Sequence, residues 1–65
     1  MELNDKARIR MEHWIAHNDH HLEEYQDFAD ELEAAGQVDS AMHVREMIEL
    51  TRKSNECLRL AIEKL

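Results

Sequence analysis

The chain has 65 residues, 43% of them hydrophobic, and carries 15 acidic against 8 basic side chains for a formal charge of −7. A chain this short buries only about 60% of its unfolded surface and has room for one thin core, so a multidomain organisation is excluded and extra stabilisation is expected from a disulfide, a metal or self-association. The lone cysteine, Cys57, excludes a disulfide within the chain, and the acidic balance excludes nucleic acid as an expected partner, because phosphate binding needs a basic stripe.

One unpaired thiol, no recognisable leader and no apolar run near the ~20 residues of a membrane span together suggest a cytoplasmic protein without a membrane partner. The acids are unevenly placed: residues 1–35 hold ten against Lys6, Arg8 and Arg10, whereas residues 36–65 hold five against five bases. No lysine or arginine occurs between Arg10 and Arg45, and all five histidines fall in that interval. Such a segment has a negative local potential that attracts cations.

With no proline and a single glycine, Gly36, the chain is punctuated once, and the expected fold is all-α: an antiparallel two-helix hairpin forming a single domain over 1–65. Asn4 or Asp5 is placed to cap a first helix over about 5–35. Its apolar stripe alternates by three and four through Met11, Trp14, Asn18, His21, Tyr25, Phe28, Leu32 and Ala35, with Ile15, Leu22 and Ala29 widening the arc to about 140°. Trp14 on this reading is core, facing Leu58.

Four histidines lie within residues 13–21. On a helical wheel His13, His17, His20, His21 and Glu24 share one face bordering the apolar arc, and His13/His17 and His17/His21 have the i, i+4 spacing that lets two imidazoles chelate one ion, with His20/Glu24 as a mixed nitrogen and oxygen version. These five residues are the candidate metal ligands. His13 to His21 spans about 12 Å along a helix while metal–nitrogen bonds are near 2 Å, so one straight helix cannot bring all four imidazoles to one ion. A full shell then needs the second helix, another chain or water. Imidazole and carboxylate suit a divalent transition metal, with zinc or nickel first in line. The competing reading makes His17 and His21 polar register residues, or a pH-sensitive contact, since imidazoles charge near pH 6.5.

Gly36 suits the left-handed position that ends the first helix, with Val38 next in the motif and able to touch Leu32. After a turn at about 36–38, Asp39 or Ser40 starts a second helix over about 39–64, with its stripe at Ala41, Val44, Ile48, Thr51, Asn55, Leu58, Ile62 and Leu65. A turn centred on Gly36 and Gln37 opposes residues whose numbers sum to about 73, which puts Asn18 beside Asn55. Asn18, His21, Thr51 and Asn55 then form one polar layer. Arg45, Arg52 and Arg59, with Glu49, Glu56 and Glu63, repeat at seven-residue intervals and read as outer ion pairs; His43 reads as surface, and Met1, Met11, Met42 and Met47 as filler or surface. The first helix carries a wider apolar arc than a two-stranded seam covers, so two hairpins are expected to pair as a homodimeric four-helix bundle, another helical protein being the alternative partner.

The stretch His13-Trp14-Ile15-Ala16-His17-Asn18-Asp19-His20 resembles small prokaryotic helical-hairpin domains of unassigned function that carry H-W-x-x-H-N-x-x-H, and the resemblance covers most of the chain. It implies a hairpin with a metal link and transfers no catalytic role. A more distant likeness to hemerythrin-like bundles rests on His13/His17 and His20/Glu24; in that family the motifs occupy different helices of a longer chain, whereas here they share one. No phosphate loop, nucleophile elbow or H-E-x-x-H motif is present, so no enzymatic activity is expected. The sequence points to a small cytoplasmic metal-binding module, a sensor, carrier or metal-stabilised interaction domain, with a metal-independent dimerisation or adaptor module as the alternative.

Overall fold

A computed structural model of the chain describes residues 2–65; Met1 lies outside them. Two antiparallel helices, α1 over Glu2–Ala34 and α2 over Val38–Glu63, make up the fold. Their Cα atoms fill a rod of 52 × 15 × 10 Å with a radius of gyration of 15.2 Å, against about 11 Å for a compact domain of this length.

Both helix starts lie upstream of the residues whose side chains suit a cap. The first helix runs through Asn4 and Asp5 rather than starting at them, with acidic Glu2 and Asp5 in its first turn, where negative charge suits the helix dipole. Freed from capping, the Asn4 amide reaches across the open end to the Leu65 carbonyl at 3.4 Å. The second helix begins at Val38, and neither Asp39 nor Ser40 caps it: Gln37 occupies the cap position without a side-chain hydrogen bond. Its carbonyl accepts from the Ala41 amide at 2.9 Å.

Gly36 ends α1 with φ +83°. The Gln37 amide donates to the Leu32 carbonyl at 2.8 Å and the Gly36 amide to Glu33 at 3.0 Å, the paired closure of a Schellman ending. The outer donor is Gln37, the residue directly after the left-handed glycine, rather than Val38, which is 59% exposed.

The seam differs from the sequence expectation on α1 and follows it on α2. Ala41, Ile48 and Asn55 of α2 are buried, and Val44, Thr51, Leu58 and Ile62 half-buried; Leu65 is exposed. On α1 the inward stripe is Met11, Ile15, Asn18, Leu22, Tyr25, Ala29 and Leu32. Trp14 and Phe28, expected as core, are 48% and 52% exposed, and Ala35 is exposed as well. Both stripes alternate by three and four and share Met11, Asn18, Tyr25 and Leu32, so periodicity alone does not choose between them. Side-chain bulk near the turn does: Ala29 and Ala41 are sealed at 0% and 1% exposure, a place where Phe28 would hold the helices apart, and because α1 is one continuous helix the same rotation turns Trp14 outward.

The polar layer forms in part. Asn18 donates to the Asn55 side-chain oxygen at 2.8 Å, and the Asn55 amide donates to Asp19 at 2.9 Å. Asn55 is only 2% exposed, and no buried side-chain nitrogen or oxygen among the described residues lacks a partner. Thr51 leaves the layer by donating to the Met47 carbonyl four residues back, and His21 turns toward His17.

Arginine ion pairs line one broad face. Arg45 bonds Asp30 at 3.0 Å and approaches Glu33 at 3.5 Å across the helices, and the hydrogen bond to Asp30 raises its guanidinium pKa while burial acts the other way. Arg52 pairs with Glu49 along α2. Asp19, Leu22, Arg52, Glu56 and Arg59 bound a shallow cleft on the same side.

Candidate functional site

The opposite broad face has a different chemistry. At about 100° per residue, Leu3, Trp14, His17, His21 and Phe28 occupy one arc of α1, turned roughly a quarter of the way round from the seam. Met47, Ser54, Leu58, Ala61 and Leu65 occupy the corresponding arc of α2. Leu3, Trp14, Phe28, Met47 and Leu65 are all exposed. A shallow groove bounded by Leu3, Ala7, Arg10, Met11 and Trp14 opens on this side. A 7.7 kDa chain folded compactly exposes about 4,300 Å²; this one exposes 5133 Å².

Two of the sequence-derived ligands meet within this apolar strip. The Nε2 atoms of His17 and His21 are 2.9 Å apart, with ring centroids at 4.4 Å and planes nearly perpendicular. On its other side the His21 ring stacks on Tyr25, 5.7 Å away and inclined by 8°, and its Nδ1 lies 3.3 Å from Glu24 Oε1. His21 is thus gripped by the aromatic ring one turn ahead and by a carboxylate. The same Glu24 oxygen lies 3.5 Å from His20 Nε2.

The other candidates sit further out. His13 stacks loosely on His17 with centroids 6.2 Å apart, and His20 is tilted against His21 at the same separation. His20 and Glu24 side chains are 72% and 59% exposed. Among the described residues, no group of three or more His, Cys, Asp and Glu side chains is arranged around a common point to hold a metal ion. One chain therefore brings together a two-imidazole pair backed by a carboxylate. Cys57 is exposed and free. His43 lies at the surface beside Glu46, 3.6 Å away.

Asp19 was missed in the sequence: it is the acceptor that completes the amide set of Asn55. Its position next to Asn18 and its acceptor-only carboxylate were the available signals. The orienting position of Glu24 against His21, at i, i+3, was equally present in the spacing and was read only as a ligand paired with His20.

A protein-family model described as "Domain of unknown function (DUF8180)" matches residues 7–65. No curated protein and no solved structure matches the chain. No helix among the described residues is long and apolar enough to cross a membrane.

Proposed function

The chain belongs to the family described as Domain of unknown function (DUF8180), and from that premise we propose that it is a self-pairing helical module, two hairpins joining their apolar faces in a four-helix bundle. The observation that carries this reading is the sidedness of the rod. Trp14 and Phe28, the two largest apolar side chains of α1, stand half in water on one broad face, while the arginine ion pairs gather on the other. The surface beyond that of a compact chain is about 800 Å², about the area each partner buries in a standard-sized interface. A rod whose sealed apolar core is Ala29, Ala41 and Ile48 gains most of its stability from such pairing.

A second reading, binding of a divalent transition metal at the histidine face, draws support from the 2.9 Å approach of the His17 and His21 nitrogens. It is compatible with the first and serves the same end, a pairing stabilised by an ion.

Sedimentation equilibrium of the whole chain tests self-pairing. The expected mass is twice 7.7 kDa at micromolar concentration. A helical species that keeps the monomer mass up to millimolar concentration would overturn the reading.

A further inference from the structure

We propose that His17 and His21 are half of a metal site that a second copy of the chain completes, four imidazoles holding one divalent transition-metal ion at the centre of an antiparallel α1–α1 contact. This inference rests on the self-pairing reading. It adds to it which helices meet, in which direction, and what sits between them.

The pair itself has the dimensions of a chelate. Two nitrogens 2.9 Å apart, each bonded to an ion at 2.0–2.1 Å, subtend about 90° there, a cis arrangement that a small ring rotation opens toward tetrahedral. His21 is oriented in advance: Tyr25 stacks on its ring, and Glu24 stands 3.3 Å from Nδ1, the nitrogen facing away from His17. A carboxylate behind the distal ring nitrogen selects the tautomer whose Nε2 lone pair is free and fixes the ring's orientation, as such partners do in histidine metal sites. Glu24 is assigned this orienting role instead of ligation.

Among the described residues a single chain supplies no third ligand at this point, and the position of the pair says where more come from. With α1 spanning Glu2–Ala34, its midpoint is Asn18, and His17 and His21 straddle residue 19. When two hairpins stack face to face about a two-fold axis perpendicular to the rods, α1 runs antiparallel to α1 of the partner copy, and only residues near mid-length meet their own counterparts. His17 then lies level with the partner copy's His21 and the reverse, while Leu3 lies level with Ala35, and Arg10 with Phe28.

Charge selects this direction over the parallel one. In the first third of α1 the bases Lys6, Arg8 and Arg10 balance Glu2, Asp5 and Glu12, whereas the last third holds Glu24, Asp27, Asp30, Glu31 and Glu33 and no base. Antiparallel stacking sets each acidic end beside the partner's charge-balanced end and keeps the two acidic ends apart. Parallel stacking aligns like with like. Metal and dimer are then thermodynamically linked, since an ion that binds only the paired state draws chains into it.

The test is calorimetric titration of zinc chloride into chelator-treated chain, with the mass followed by sedimentation. The proposal expects half an ion per chain and a dimer tightened by zinc. His17→Ala and His21→Ala should each abolish saturable binding, His43→Ala should leave it intact, and Glu24→Gln should weaken it about 10–100-fold without changing the stoichiometry. One ion per chain in an intact dimer would overturn the shared site. No saturable binding to an intact dimer would overturn the metal site and leave self-pairing standing, whereas a monomer with and without zinc would overturn both.

Discussion

The amide of Asn18 donates to the side-chain oxygen of Asn55 at 2.8 Å, across a seam built mostly from apolar side chains, and Asn55 passes its own amide on to Asp19. A buried polar residue at one seam position costs stability relative to an aliphatic one and discriminates between registers, because a one-turn slip leaves its donors and acceptor unmatched.

Asn55→Ala removes both bonds and leaves a hole in the seam. The expected cost is about 1–3 kcal/mol, read as a lower urea midpoint with unchanged slope. Asn55→Leu should hold or raise the midpoint while broadening amide NMR signals near residue 18, as alternative registers become populated. A Leu variant with a lower midpoint and sharp signals would show that the asparagine acts through stability rather than register.

Gly36 holds φ +83° with nothing within 4 Å of where a Cβ would stand. Its replacement by Ala is therefore a test of backbone strain alone, with an expected cost of about 1–2 kcal/mol in thermal or chemical unfolding. Gly36→Asn should lose less, since asparagine tolerates the left-handed region.

Ile48 is the largest apolar side chain sealed in the seam, at 3% exposure. Truncation to Ala is expected to cost about 2–5 kcal/mol, enough to unfold a chain with so little core. Trp14→Lys and Phe28→Lys should act differently. Each should lower the association constant more than it changes the unfolding of the monomeric hairpin, because these side chains cover the pairing face and not the seam. Equal losses of seam stability in all three variants, by circular dichroism across a concentration series, would contradict that division.

Arg45 bridges the helices to Asp30 and Glu33 at an exposed edge. Arg45→Ala should shift the midpoint far less than Ile48→Ala, by an amount that shrinks as salt is added. The guanidinium pKa is raised in the folded chain, with the Asp30 hydrogen bond the first cause. Through this group the stabilisation is fully present below the unfolded pKa and lost only as pH rises through the folded one, so between neutral and mildly alkaline pH the wild-type minus variant difference should stay constant.

The hairpin, its single turn and the α2 stripe were legible in composition and spacing, because one glycine in a proline-free chain leaves only one place to reverse, and the 73-sum register follows from that place. The facing of Asn18 and Asn55 was legible for the same reason. What the spacing left open was rotation of α1 about its own axis: Met11, Asn18, Tyr25 and Leu32 serve two stripes equally, one completed by Trp14 and Phe28 and the other by Ile15, Leu22 and Ala29. Only the approach of the two backbones at Ala29 and Ala41 decides between them, a property of the helix pair and not of either helix. That rotation turns the bulky aromatics out onto the broad face with His17 and His21, so the site's surroundings follow from packing, while the i, i+4 spacing that brings two imidazoles together is written in the local chain.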